Sequence, residues 1–182
     1  MGLTLLIGGA RSGKSTLAVR AAGAHDGPVT FIATAEPRDE EMASRIAQHR
    51  EMRPGDWDTV EEPVELAAAI EAAPAGACVI VDCLTLWVAN LLERGAHRDE
   101  VIARAAEATK AAAGRRAPVL VVTNEVGSGI VPMHPETRAY RDLMGSVNST
   151  FAGDSERVLL VVAGRALALS TVEEVSPDVL GG

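Results

Sequence analysis

The chain has 182 residues, 47% of them hydrophobic and 23% charged, a balance that excludes a disordered polypeptide and suits a single α/β domain over residues 1–182. The net charge is −8 and no basic stripe is evident, which argues against a nucleic-acid partner. No apolar run approaches membrane-spanning length and no leader precedes the first strand, so no stable membrane insertion, no signal peptide and a cytoplasmic location are expected.

Leu3-Thr4-Leu5-Leu6-Ile7 reads as a buried strand, and residues 16–22 read as a helix. Between them, Gly8-Gly9-Ala10-Arg11-Ser12-Gly13-Lys14-Ser15 fits G-x-x-x-x-G-K-S/T, the P-loop pattern. Strand, glycine loop and helix together turn backbone N–H groups and a helix N-terminus toward phosphate. Gly8 and Gly13 permit the tight loop. Lys14 has the reach for β- and γ-phosphates, and the Ser15 hydroxyl suits Mg²⁺. The chain is therefore expected to bind a nucleoside triphosphate.

Gly27-Pro28 makes a turn before the short strand 29–33, which ends in Thr34-Ala35-Glu36. Those residues fall at the carboxyl edge of the sheet, where open α/β folds bind ligands. A helix is expected over 39–52, with Asp39, Glu40 and Glu41 suited to its macrodipole. Arg45, His49 and Arg53 recur every four residues along one side. A stripe carrying one imidazole could meet a polyphosphate, although spacing alone favours a half-buried structural histidine. Arg53-Pro54-Gly55-Asp56 ends the helix. Residues 57–62 read as an edge strand, with Trp57 as a packing anchor rather than a stacking platform. Pro63 opens a helix over 64–72.

Residues 77–81 followed by Asp82 form a Walker B-like strand, with a carboxylate beside the P-loop to hold hydrated Mg²⁺. The two cysteines, Cys78 and Cys83, would face opposite sides of a regular strand and read as free buried thiols. Residues 84–94 form a helix with Trp87, Leu91 and Leu92 toward the core. His97 is a solvated loop residue, and 99–114 reads as an Ala-rich helix facing solvent. Strand 118–122 then leads into a two-glycine loop, 123–132, of the kind that shapes substrate pockets. Glu125 and Gly127 stand where the N-K-x-D of regulatory GTPases needs Lys and Asp, which counts against a GTPase switch. In the helix 135–151, Tyr140, Leu143, Met144, Val147 and Phe151 make an apolar face, and Arg138, Arg141, Gly145 and Asn148 make a polar one. Gly145 leaves room there for a ligand or a neighbouring subunit. Residues 157–163 are a last strong strand, 166–170 a short partner for it, and the tail from 173 reads as loosely held.

Several of these stretches together resemble one family. They are the P-loop, Ile32-Ala33-Thr34, Arg45-Ile46-x-x-His49-Arg50 with Arg53-Pro54, Trp57-x-Thr59-x-Glu61, and Asp82-Cys83-Leu84-Thr85 with Asn90. The others are Thr123-Asn124-Glu125-Val126-Gly127, Gly129-Ile130-Val131-Pro132, and Arg138-x-Tyr140-Arg141-Asp142 with Gly145 and Asn148. The pattern is similar to the bifunctional adenosylcobinamide kinase / adenosylcobinamide-phosphate guanylyltransferase family of cobalamin biosynthesis, up to about residue 165. The fold expected is an α/β P-loop NTPase (RecA-like) three-layer fold, with a mostly parallel central sheet and helices on both faces.

The resemblance implies two reactions. ATP or GTP phosphorylates the aminopropanol hydroxyl of adenosylcobinamide, and GTP then transfers GMP to that phosphate, releasing pyrophosphate. It further implies that His49 is the guanylylated nucleophile. Nucleotide-binding positions carried over are Gly8, Gly9, Ala10, Arg11, Ser12, Gly13, Lys14, Ser15, Ala33, Thr34, Ala35, Arg50, Glu51, Met52, Arg53, Glu61 and Asp82, with Ser15 and Asp82 toward Mg²⁺. Family members can carry Glu at the position of Asp82, whose shorter side chain alters the reach. Residues 127–132 and the Arg138–Asn148 face are then candidates for the corrinoid or a subunit interface, and the family implies a homotrimer. The competing readings are a plain P-loop small-molecule kinase without a covalent intermediate, and a nucleotide switch or ATPase module.

Overall fold

The structure, a computed structural model, describes residues 2–175. Strand β1 (Leu3–Gly8) runs into the P-loop and α1 (Lys14–Ala22). Then come β2 (Val29–Ala33), α2 (Glu40–Glu51), β3 (Asp58–Glu61) and α3 (Leu66–Ala72). They are followed by β4 (Cys78–Asp82), α4 (Leu84–Glu93), α5 (Arg98–Ala113) and β5 (Val119–Asn124). The last elements are α6 (Pro135–Gly153), β6 (Arg157–Val162) and β7 (Arg165–Leu169). Of the tail expected from residue 173, only 173–175 are described, within an exposed helical turn; the rest lies outside the described residues.

The strands form one sheet in the order β3-β2-β4-β5-β1-β6-β7, parallel except for the β6–β7 hairpin. The largely apolar runs of the inner strands β1, β2, β4 and β5 are what a sheet covered on both faces requires. Side chains alternate between two cores. Leu3, Leu5, Val79, Val81, Val119 and Val121 pack with α3 to α6 on one face. Leu6, Phe31, Ile80, Leu120 and Val122 pack with Ala18 and Ala22 of α1 on the other. This is the three-layer arrangement expected from the sequence. Cys78 and Cys83 are both buried and free.

Register brings the carboxyl ends of the inner strands together. Gly8 pairs with Asn124, Ala33 with both Asp82 and Glu61, and Asp82 with Val122. The P-loop strand β1 is thus separated from the Asp82 strand by β5 alone. Helix α2 differs from its neighbours. Asp39 caps it by accepting from the Met42 N–H at 2.7 Å, yet the helix buries no residue. It lies over the carboxyl edge instead of in the core.

Helix α3 starts at Leu66, so Pro63 lies outside it and not at its first position; three further expectations change. Strand β5 extends through Thr123 and Asn124, which belong to the sheet and not to the following loop. Helix α5 is not chiefly solvent-facing: Val101, Ala105, Ala108 and Ala112 are fully buried. Alanine fills a close helix–helix contact without producing a strong apolar stripe in sequence. Asn148 is buried and not on a solvated face; its Nδ2 donates to the Asn124 carbonyl at 3.1 Å, and its Oδ1 accepts from the Thr123 hydroxyl at 2.7 Å.

Candidate functional site

The P-loop takes its shape from its own backbone and from the β6–β7 turn. Arg11 and Gly13 adopt positive φ, 55° and 101°. At Gly13 this is the conformation that glycine adopts without steric cost. The Gly164 N–H donates to the Ser12 carbonyl at 2.8 Å, and a Cβ on Gly13 would meet Gly164 Cα at 3.3 Å. Gly8 is tighter still, since a Cβ there would lie 2.2 Å from the Val161 carbonyl oxygen. Lys14 folds back across the loop, its Nζ donating to the carbonyls of Gly8 at 2.9 Å and Gly9 at 2.7 Å. Burial pulls the Lys14 ammonium pKa below its ordinary value, with the nearby Cys83 and Asp82 opposing the shift.

A cavity of about 460 Å³ opens over the loop. Residues Ala10 to Thr16 form its floor, and Ala33, Ala35, Asp82, Cys83 and Asn124 line it from the strand ends. Met42, Arg45, His49, Met52 and Arg53 close it from α2 and its extension. The spacing every four residues that puts Arg45, His49 and Arg53 on one side of the chain aims that side into the cavity.

His49 is half-buried, and its Nδ1 lies 3.5 Å from Asp82 Oδ2. That oxygen is buried and has no hydrogen-bond partner among the described residues. Arg53 stacks on Phe31, its guanidinium carbon 3.5 Å from the ring centre, and its Nε is also buried without a partner. Burial lowers the Arg53 pKa, and Asp82 opposes that shift. One unpaired carboxylate oxygen, one underused guanidinium and one imidazole therefore converge above the lysine. Such a group suits a polyanion carrying a cation.

A second cavity of about 290 Å³ adjoins the first through Arg53, lined also by Arg50, Trp57, Thr59 and Glu61. Arg50 pairs with Glu61 across its mouth. Trp57 is half-buried and packs against the α1-side core, as an anchor should.

The residues carried over from the resemblance thus fall into three groups. Ala10, Arg11, Ser12, Gly13, Lys14, Ser15, Ala33, Ala35, His49, Met52, Arg53 and Asp82 line the first cavity. Arg50 and Glu61 line the second. Gly8, Gly9, Thr34 and Glu51 line neither; Gly8 and Gly9 act through their carbonyls on Lys14, and Glu51 is exposed. Thr34 is fully buried, its hydroxyl donating to the Cys83 carbonyl at 2.7 Å and accepting the Cys83 N–H at 2.8 Å.

Two residues outside that set support the site. Asn90, buried in α4, donates to the carbonyls of Thr34 at 2.7 Å and Pro63 at 3.1 Å and accepts from Arg38. A lone amide among Leu, Trp, Val and Ala was the available signal for it. Asn124 reaches the first cavity from β5, and nothing in its local sequence marks it as a strand residue facing the P-loop.

A sequence profile described as cobinamide kinase / cobinamide phosphate guanyltransferase matches residues 4–169. The chain belongs to this family. It is 44% identical over 172 residues to the bifunctional adenosylcobalamin biosynthesis protein CobP of Pseudomonas aeruginosa, covering 91% of this chain and 95% of that protein. It is 40% identical over 175 residues to the bifunctional adenosylcobalamin biosynthesis protein CobU of Escherichia coli, covering 89% and 96%. Among solved structures, a RadB recombinase aligns with a TM-score of 0.51 at 19% identity, covering 87% of this chain and 73% of that one. A type III secretion ATPase aligns at 0.55 and 10% identity, covering 98% and 61%. At such identities these two likenesses concern the fold alone.

Proposed function

We propose that this chain phosphorylates adenosylcobinamide with ATP or GTP, and then transfers GMP from GTP to the product through a covalent adduct on His49. One observation supports this reading above the others: the P-loop lysine and His49 line the same cavity. A plain kinase has no use for a nucleophile over the phosphates.

In the first reaction the substrate hydroxyl attacks the terminal phosphorus. The new P–O bond forms as the bond to the β-phosphate oxygen breaks, and the hydroxyl proton is lost. Lys14 exchanges its carbonyl partners for phosphate oxygens and neutralises developing charge. In the second reaction His49 attacks the α-phosphorus of GTP, the bond to the β-phosphate oxygen breaks, and pyrophosphate leaves. A phosphate oxygen of adenosylcobinamide phosphate then displaces the imidazole, giving adenosylcobinamide-GDP and free His49. Arg53, half-buried and with its Nε unsatisfied, is suited to the α-phosphate charge.

Ser15 and Asp82 would hold Mg²⁺, and the orphaned Asp82 Oδ2 fits that task. Among the described residues no group of three or more His, Cys, Asp or Glu could hold a metal, so phosphate and water would supply the remaining ligands. When bound, the ion would supply positive charge to the phosphates.

The test uses GTP labelled at the α-phosphate, without corrinoid. An acid-labile, alkali-stable protein adduct is expected in the wild type and absent in His49→Ala. Undiminished labelling of that variant would exclude His49 as nucleophile. Absence of any adduct in protein that phosphorylates adenosylcobinamide would favour the plain kinase.

A further inference from the structure

Phosphoryl transfer needs the attacking hydroxyl held in line with the terminal phosphate, and the residues discussed so far leave that task unassigned. Asn124 stands where it could be done. It is the register partner of Gly8, at the carboxyl end of the strand between the P-loop strand and the Asp82 strand. The Gly8 carbonyl accepts from Lys14 Nζ at 2.9 Å and from the Glu125 N–H at 3.1 Å. The Asn124 side chain therefore leaves the sheet beside the lysine head, on the wall of the main cavity.

Its amide is fixed. Nδ2 donates to Thr85 Oγ1 at 3.0 Å, and the Asn124 backbone N–H donates to the same oxygen at 3.1 Å. Thr85 is held in turn, its carbonyl accepting the Tyr140 hydroxyl at 2.9 Å. The Asn124 carbonyl accepts from Asn148 Nδ2 at 3.1 Å, and Asn148 also accepts the Thr123 hydroxyl. Four polar side chains from α4, α6 and β5 thus hold Asn124: Thr85 on its side-chain amide, Asn148 on its backbone carbonyl, and Tyr140 and Thr123 behind those two. One Nδ2 hydrogen goes to Thr85, and among the described residues nothing donates to Oδ1, which leaves that oxygen without a partner on a residue that lines the cavity. An amide fixed from behind and open in front is an oriented hydrogen-bond acceptor.

We infer that Asn124 Oδ1 accepts the hydrogen bond of the attacking alcohol and aligns it on the terminal phosphorus. This rests on the phosphoryl-transfer half of the proposed function. Asn124 is no base: the hydroxyl keeps its proton until the O–P bond has largely formed, and the proton then passes to a phosphate oxygen of the product. Attack by imidazole at the α-phosphorus brings no hydroxyl to orient, so the second half-reaction does not need this acceptor.

The test compares wild type with Asn124→Ala, Asn124→Leu and Asn124→Asp. Three quantities are read: steady-state formation of adenosylcobinamide phosphate, nucleotide affinity, and adduct formation from α-labelled GTP without corrinoid. Asn124→Ala is expected to lose kcat for phosphorylation by about 10²-fold, the scale of a misaligned reactant. Nucleotide affinity and adduct formation should stay within about threefold, well under one such step. Asn124→Asp keeps an acceptor oxygen and should recover most of the lost kcat. Asn124→Leu, matched in size, carries the comparison if the alanine variant does not unfold cooperatively. Phosphorylation kept within threefold in both apolar variants overturns the inference. So does an equal fall in phosphorylation and adduct formation, which would make the network scaffolding. A wild type that forms no adenosylcobinamide phosphate overturns the functional reading, and this inference with it.

Discussion

His49 Nδ1 and Asp82 Oδ2 lie 3.5 Å apart, although one residue belongs to a helix that buries nothing and the other ends a core strand. The contact ties α2 to the sheet and distinguishes the two ring nitrogens. A neutral imidazole with Nδ1 turned toward a carboxylate is expected as the Nδ1–H tautomer, which would leave the lone pair on Nε2.

If the proposed covalent step on His49 operates, its adduct is expected on Nε2. Phosphorus–proton correlation spectra of the labelled peptide, kept alkaline, distinguish the two linkages. An adduct on Nδ1 would mean that the Asp82 contact does not govern the attack.

Two glycines of the P-loop should answer substitution differently. In Gly8→Ala the new methyl meets the Val161 carbonyl at 2.2 Å, backbone that cannot move without opening β1 from β6. A loss of about 1–3 kcal/mol is expected from such overpacking, with weakened nucleotide binding. Gly9 has no atom within 4 Å of a built Cβ, and Gly9→Ala should keep stability within about 0.5 kcal/mol. Urea unfolding of the two variants checks both values.

Asn90→Ala should loosen the edge of the site from behind. It leaves the Thr34 and Pro63 carbonyls without their donor, at about 1–3 kcal/mol for each acceptor left unsatisfied. The denaturation midpoint should fall with little change in slope. Nucleotide affinity should fall too, because Ala35, next to Thr34, lines the cavity.

Alkaline pH should destabilise the fold through the two thiols. Burial raises both Cys78 and Cys83 from 9.0 to about 11. A group whose native pKa is raised contributes stability below its unfolded pKa and loses it as the pH climbs through the native value. The melting temperature should therefore fall between pH 9 and about pH 11. The fall should be smaller in the Cys78→Ala/Cys83→Ala double variant; an identical profile would exclude the thiols as its source. At pH 8 the native thiols should resist alkylation that the unfolded chain accepts.

Much of this molecule was legible locally. Cys78 to Val81 is an uninterrupted apolar run, Leu3 to Ile7 and Val29 to Ala33 are apolar but for one Thr each, and each belongs to a largely buried strand. Asp39 and Pro135 mark the starts of α2 and α6 by their own backbone chemistry. Asn124 was not legible as a strand residue, because the partners that satisfy it, Thr85 and Asn148, lie 39 and 24 positions away. Nor was the buried face of α5, since alanine packs well without announcing it.

The P-loop and its flanking strand and helix follow from the sequence by itself, because a glycine's freedom, a helix start and a buried strand depend on residues only a few positions apart. Only the tertiary structure decided which strand ends share an edge. Parallel pairing put β5 between β1 and β4, which set Asn124 beside Lys14, and the path of α2 over that edge brought His49 to Asp82. Those neighbours are chosen by burying two apolar faces at once, a condition on the whole chain that no local stretch contains.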